Sequence, residues 1–423
     1  MCFVSSYHAI EAAVQPRSFV IQRPLKVCLC LLLIAFTAAQ SRAADTPADH
    51  AAFPVEVKPT DVNLRYQGRW DTRDDAGPRC AYSACGVIFR FAGTGAAARV
   101  KEDWYGHHQD QLQVFVDGKP TSIVKLQPGE STATLAENLP PGEHTLELYK
   151  RTEPLVGTLQ LQAILLPADA KLLPPSASSA SAPSTMPQPA SPSAPPAPAS
   201  PVSPSPHRIE VIGDSISCGY GNEGKDQNEH FAADTENACE SYGFLTARRF
   251  AAEYVCVAWS GKKMWPDNTV GEFYDRALPG DPASAWDFSR WTPDVVVVNL
   301  ATNDFGGAAN PDRAGWTGAY QAFVQRVRQR YPNADIYLAT GSMMTDTWPP
   351  QRNALSTAKA YLDQVVANLR QRGDTHLHRI DFAPQDPANG LGSDWHPSVK
   401  THHLMADQLT AALEKDLGWT RVE

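Results

Sequence analysis

Polar and apolar positions change rhythm once along the chain. Between about residues 52 and 166 the rhythm is that of short strands. Gly86-Val-Ile-Phe-Arg-Phe91 alternates in part, and Asp110-Gln-Leu-Gln-Val-Phe-Val116 alternates clearly. Successive side chains on a strand point to opposite faces, so alternation marks one face turned to a core. Asp117-Gly118 follows the second run, and Pro140-Pro-Gly142 leads into Glu143-His-Thr-Leu-Glu-Leu-Tyr149; both are turn signals. Nothing here repeats at the helical period. Short strands parted by Gly and Pro turns predict an all-β jelly-roll sandwich over 52–167.

From His207 onward strands alternate with helices. Strands are predicted over 208–213, 254–259, 294–300, 335–340 and 376–380, and helices over 236–252, 313–330, 351–370 and 398–417. Asp294-Val-Val-Val-Val-Asn-Leu300 is almost wholly apolar, as a strand covered on both faces must be. The alternation predicts an α/β fold over 207–423, a parallel sheet in a three-layer α/β/α domain. Ligands of such sheets bind beyond the carboxyl ends of the strands.

Two segments belong to neither pattern. Residues 174–206 are Pro, Ser and Ala almost throughout, with twelve prolines in 33 residues. Such a stretch buries no core and reads as an extended spacer, reaching up to about 100 Å at roughly 3.1 Å per residue, within a linker over 168–206. At the N-terminus Arg17, Arg23 and Lys26 precede an apolar run ending near Ala39. Ser41 and Ala43 then offer small residues where a signal peptidase inspects. The run, about 13 residues, falls short of the roughly 20 that span a bilayer. An export signal over 1–43 and a secreted or periplasmic protein are expected.

Charge narrows the partners. The chain carries −9, and without residues 1–43 the balance is 33 basic to 45 acidic side chains, or −12. That sign disfavours nucleic acid and anionic membranes and suits a neutral substrate such as a sugar polymer. Five cysteines remain beyond the leader: Cys80, Cys85, Cys218, Cys239 and Cys256. In an oxidising compartment Cys80–Cys85 and Cys218–Cys239 can pair, leaving Cys256 free in an apolar strand. Their spacings match no zinc pattern, and neither metal nor organic cofactor is expected.

Four short blocks fall on the predicted carboxyl edge of the sheet: Gly213-Asp-Ser-Ile216, Ser260-Gly261, Ala301-Thr-Asn-Asp304 and Asp394-Trp-His-Pro397. Together they supply what acyl transfer needs. Ser215 is the candidate nucleophile and His396 the base that takes its proton. The backbone N–H groups of Ser215 and Gly261 and the side-chain amide of Asn303 are candidate donors to an oxyanion. Asp394 either orients His396 or leaves that task to a backbone carbonyl. Ser215 does not stand in Gly-x-Ser-x-Gly, which argues against an α/β-hydrolase elbow. Asp214 reads as a residue that fixes its loop, and His402 and His403 as parts of the last helix.

These blocks resemble those of the SGNH (GDSL) hydrolases, centred on Ser, Gly, Asn and His in this order. More narrowly, Gly213-Asp-Ser-Ile-Ser-Cys-Gly-Tyr-Gly-Asn222, Glu236-Asn237, Ser241-Tyr242 and Asp394-Trp-His-Pro-Ser398 are similar to carbohydrate esterase family 2. Gly68-Arg-Trp70 and the strand after Gly86 resemble the start of that family's N-terminal jelly roll. The resemblance implies a serine esterase that deacetylates xylan, glucomannan or related oligosaccharides, with a preference for acetyl on the sugar 6-hydroxyl.

There are departures. The third block begins with Ala301 where Gly is usual, and Ser393 holds the position three before His396 where most of the superfamily has its acid. The Pro-rich insert parts domains that usually follow closely, which calls direct packing between them into question.

Trp395 and Trp265 are candidate walls for a sugar, with Trp348 a third aromatic at the same edge. Trp70 and Trp104 read as packing, and Glu102 and Asp103 as solvated surface charge. The expected partner is an acetylated polysaccharide or oligosaccharide met by a monomer. The alternatives are an SGNH esterase of non-sugar esters, or a carbohydrate-binding protein with an inactive hydrolase domain. The first should expose a broad apolar cleft, and no long apolar loop is evident; the second has no chemical need for all four blocks.

Overall fold

The computed structural model describes residues 52–104, 106, 108–175 and 207–422. The predicted leader and nearly all of the Pro-rich insert lie outside them. The N-terminal region runs β1 (Val55–Val57), β2 (Arg65–Gln67), β3 (Arg79–Cys80), β4 (Gly86–Gly93), β5 (Ala96–Trp104), β6 (Gln111–Val116), β7 (Lys119–Lys125), β8 (Gly129–Ala136), β9 (Gly142–Lys150), β10 (Gly157–Leu166) and β11 (Lys171–Leu173). These make two antiparallel sheets, one ordered β1-β10-β5-β8 and the other β11-β4-β9-β6-β7, with β3 and β2 added at their sides. Alternate residues such as Phe89, Phe91, Val100, Leu112, Leu146 and Leu161 close one core between them. Asp117 and Gly118 both have positive φ, 52° and 77°, as the tight β6–β7 hairpin requires. The sandwich continues into the stretch predicted as spacer, because Lys171 pairs with Ala92.

The second region is α/β. Its elements are β12 (Arg208–Gly213), α1 (Ser215–Cys218), α2 (Tyr242–Arg249), β13 (Glu253–Ala258), β14 (Val295–Asn299), α3 (Thr302–Phe305), α4 (Arg313–Arg330), β15 (Asp335–Thr340), α5 (Ala354–Gln371), β16 (Leu377–Asp381) and α6 (Val399–Leu417). The sheet order is β13-β12-β14-β15-β16 and every pairing is parallel. Ile212, Val296 and Val298 face Trp316, Tyr320 and Val365 of α4 and α5. Val211, Val295 and Val297 face Phe244, Met405 and Leu409 of α2 and α6 on the other side. This two-sided burial explains the unbroken apolar run.

The helix predicted over 236–252 is shorter than its periodicity suggests. Asn237 accepts the Cys239 N–H (3.0 Å) at the start of a single 3-10 turn, and the α-helix begins only at Tyr242. Local side-chain capping overrides the pattern there.

The two regions pack directly, which answers the question raised by the insert. Arg69 of the sandwich bonds Glu210 of β12 at 3.1 Å, both fully buried. Arg73 pairs with Asp281 (2.6 Å) and Arg248 with Glu147 (2.6 Å), while the Tyr149 and Phe244 rings meet edge to face at 5.0 Å. Glu102 is not surface charge: it is buried, and accepts the Asp110 N–H at 2.8 Å. Burial, followed by the charge of Asp110, pushes it up to about 7. Asp103, its neighbour on the strand, is exposed as expected. Trp70 is buried against Tyr66.

All five cysteines among the described residues are buried free thiols, so neither predicted disulfide forms. The Cys85 thiol donates to the Arg69 carbonyl at 3.6 Å. Cys218 points to Glu153 (3.9 Å), and burial pushes the thiol of Cys239 up.

Candidate active site

β12 ends at Gly213, where a Cβ would come within 2.1 Å of Ser217 Oγ; the tight turn into α1 therefore needs glycine. Asp214 caps α1 by accepting the Ile216 N–H at 3.1 Å. This fixes Ser215 at the first position of the helix, at the carboxyl end of β12, which lies between β13 and β14. Burial pushes the Asp214 carboxyl up to about 7.

His396 reaches Ser215 from the loop before α6. Its Nε2 lies 2.8 Å from Ser215 Oγ. On the far side of the ring, Nδ1 lies 3.1 Å from the Ser393 carbonyl and 3.2 Å from that of Asp394. A neutral imidazole with its proton on Nδ1 satisfies both sides, leaving Nε2 free to accept. Loss of water around the ring lowers His396 to about 4, against the pull of the two carbonyls.

The Asp394 carboxylate does not touch His396. It accepts the Tyr220 hydroxyl and the Phe231 N–H, each at 2.9 Å, and faces His230 Nδ1 at 2.9 Å. The cause is local: Asp394 and Trp395 take left-handed conformations (φ 51° and 68°), which turn carbonyls toward the ring and the carboxylate away. Tyr220, part of the Gly213–Asn222 tract but given no role there, lies against the imidazole with ring centroids 4.1 Å apart, and Phe231 stacks on Tyr220 at 4.5 Å.

The second and third blocks converge on the same edge. Residues 259–262 form a turn in which the Lys262 N–H donates to the Trp259 carbonyl at 3.3 Å. Gly261 has φ 77° there, and space for a Cβ is open, so the backbone conformation alone calls for glycine. Asn303 Nδ2 donates to the Lys262 carbonyl (3.0 Å) and to Asp214 (3.3 Å), which ties the third block to the first two. Asp304 accepts the N–H groups of Met264 (3.1 Å) and Trp265 (2.9 Å) and Trp316 Nε1 (2.9 Å). Burial raises its carboxyl to about 6.

Of the aromatics, Trp395 is 58% exposed and Trp348 62% exposed. Trp265 instead packs on α4, close enough that a Cβ on Gly315 would meet its ring at 2.9 Å. His402 lies behind the site, where its Nδ1 accepts the Tyr242 N–H (3.2 Å), and His403 pairs with Glu240 at the surface. One group of metal-ligand type occurs among the described residues: Glu153, Cys218 and Glu236 have ligand atoms within 4.8 Å of one another. Lys150 is near enough for its charge to favour both carboxylates, while its Nζ pairs with Asp110 at 2.6 Å and donates to the Glu153 main-chain carbonyl at 3.2 Å.

The chain carries two domain signatures in register with this geometry. Residues 66–175 match the carbohydrate esterase 2 N-terminal domain, and residues 211–404 match the GDSL-like lipase/acylhydrolase family. A solved family two carbohydrate esterase from Clostridium thermocellum, in complex with cellohexaose, is 34% identical, with TM-score 0.71 over 84% of this chain and 99% of that one. The chain belongs to carbohydrate esterase family 2.

As a family 2 member it is a carboxylic ester hydrolase. A curated relative, the cellulase/esterase CelE of Acetivibrio thermocellus, is 34% identical across 88% of this chain, which spans only 41% of that relative's length. An acetylxylan esterase / glucomannan deacetylase of Cellvibrio japonicus is 28% identical across 86% of this chain and 91% of its own. In this family 2 esterase no helix among the described residues is long and apolar enough to cross a membrane.

Proposed function

We propose that this chain removes acetyl groups from plant cell-wall polysaccharides or their oligosaccharides through an acetyl-enzyme intermediate. The observation that carries the reading is the 2.8 Å contact of His396 Nε2 with Ser215 Oγ at the mouth of the parallel sheet. His396 takes the Ser215 proton as the oxygen attacks the ester carbonyl. The oxyanion is received by the N–H groups of Ser215 and Gly261 and by Asn303 Nδ2, whose second hydrogen leaves its long 3.3 Å bond to Asp214 for the oxyanion. His396 returns the proton to the departing sugar hydroxyl, and a water deprotonated by the same ring releases acetate. The two carbonyls that hold Nδ1 do the orienting that a carboxylate does in a triad. A sugar stacks on exposed Trp395, with Trp265 as the weaker candidate. The relatives named for acetylxylan and glucomannan support acetylated xylan and glucomannan as substrates, with the 6-O-acetyl position preferred. The leader-like residues 1–43 support export, and the protein acts as a monomer.

Acetate release from acetylated xylan and glucomannan, wild type beside Ser215→Ala, tests this. Equal release by the two proteins rejects it, and turnover confined to long-chain esters rejects the sugar substrate. Masses of the exported product test cleavage after Ala43.

A further inference from the structure

One carboxylate from the β-sandwich enters the catalytic domain. Residues 150–153 leave β9 and are fully buried as they cross. The Arg151 carbonyl accepts the Ala238 N–H at 2.9 Å, and Arg151 pairs with Glu223. Lys150 Nζ, held by Asp110 at 2.6 Å, donates to the Glu153 carbonyl at 3.2 Å. The Glu153 N–H donates to Glu236 Oε2 at 3.2 Å. The main chain at Glu153 is thereby clamped from both domains.

Its side chain ends on the second catalytic block. Oε2 accepts the Ser260 N–H at 2.7 Å, and Oε1 accepts the Ser260 hydroxyl. Oε2 also receives the Cys218 thiol (3.9 Å) from the helix that opens with Ser215. Ser260 is the residue whose peptide carries the Gly261 N–H. Another carbonyl of the same turn, that of Lys262, orients Asn303. A two-point grip on Ser260 therefore fixes the direction of one oxyanion donor and, through the turn, of a second. Charge-assisted bonds of this kind are stronger and shorter than neutral ones, which suits them to holding a donor still.

We infer that Glu153 is a positioning residue for the oxyanion hole, so that the β-sandwich completes the active site of the neighbouring domain. The inference rests on the esterase reading above. It gives the sandwich a part in turnover distinct from any binding of polysaccharide.

The test uses the full chain and 4-nitrophenyl acetate, whose hydrolysis needs the hole but no sugar subsite. Glu153→Gln keeps the shape and removes the charge; Ser260→Ala, at a half-buried position, removes one of the two grips. Losing a whole oxyanion donor costs about 10²- to 10³-fold, so a misdirected one should cost Glu153→Gln about 10- to 100-fold in kcat. KM should stay within about twofold, and affinity for phenylboronic acid, which forms a tetrahedral adduct on the serine, should fall in step with kcat. Ser260→Ala should show a smaller loss of the same kind, and the double variant no more than Glu153→Gln alone. A Glu153→Gln protein with wild-type kcat and boronate affinity overturns the inference. If that variant does not fold, unchanged kcat and boronate affinity in Ser260→Ala overturn it instead. Wild type no faster than Ser215→Ala would be a different failure, of the esterase reading itself.

Discussion

The imidazole of His396 is held by the main chain of Asp394, not by its carboxylate: Nδ1 lies 3.2 Å from the carbonyl, while the carboxylate serves Tyr220, His230 and Phe231. The two residues should therefore separate in kinetics. His396→Ala removes the base and should lower kcat by about 10³-fold or more. Asp394→Asn can still accept the Tyr220 hydroxyl and should keep activity within about tenfold. Equal losses, measured as kcat on an aryl acetate, would mean that the charge of Asp394 acts on the ring after all.

Asn303 places a side-chain donor beside the Gly261 turn through its 3.0 Å bond to the Lys262 carbonyl. Asn303→Ala should lower kcat about 10²- to 10³-fold with little change in KM, since an oxyanion donor acts mainly on the transition state. A rise in KM with kcat unchanged would assign Asn303 to substrate binding.

Burial lowers His396 to about 4. The neutral base is thus present down to that pH, and the acid limb of kcat/KM should fall near pH 4, not near 6.5. His402 is lowered to about 3, also by burial. Both folded values lie below the unfolded value of about 6.5, so their contribution to stability is complete above pH 6.5 and is lost as pH falls toward 4 and 3. For His402 alone this amounts to about 2 kcal/mol at pH 5. The raised carboxyls of Glu102, Asp214 and Asp304 act in the opposite sense over the same window, so the check is a difference: from pH 7 to pH 5 the thermal midpoint of wild type should drop relative to that of His402→Asn. A constant difference between the two proteins would discount the histidine.

Arg69 crosses the domain boundary to Glu210, with neither side chain exposed, and its guanidinium stands 5.0 to 5.4 Å from the rings of Tyr274, Phe288 and Trp286. Arg69→Ala leaves Glu210 buried without its cation and should cost about 3–5 kcal/mol in denaturant unfolding. Loss below about 1 kcal/mol would show that water reaches the pair.

The free thiols of Cys80, Cys85, Cys218, Cys239 and Cys256 should be silent to a thiol reagent while the protein is folded, and all five should react once it is unfolded without reductant. A single reactive thiol would restore the two disulfides expected from an oxidising compartment.

What the chain states locally, the sequence by itself determined. The two-sided apolar run at Val295 to Val298 specified a buried parallel strand, because only such a strand has no polar face. Gly213-Asp-Ser215 specified its turn through steric need at one residue and a cap at the next. Ser215, Gly261, Asn303 and His396 each follow or precede an element with a clear period, so their common edge could be read from alternation alone.

Contacts between distant segments were decided only by tertiary structure. Two left-handed residues turned the Asp394 carboxylate away from its neighbour in sequence, and side-chain identity does not encode that dihedral. The first turn of the helix expected over 236–252 gave way to a 3-10 turn capped by Asn237, with the α-helix kept only from Tyr242. Glu153 itself has no motif and belongs to the other domain. Its meeting with Ser260, 107 positions further on, exists because the sandwich packs on the catalytic sheet and drives a buried segment into it.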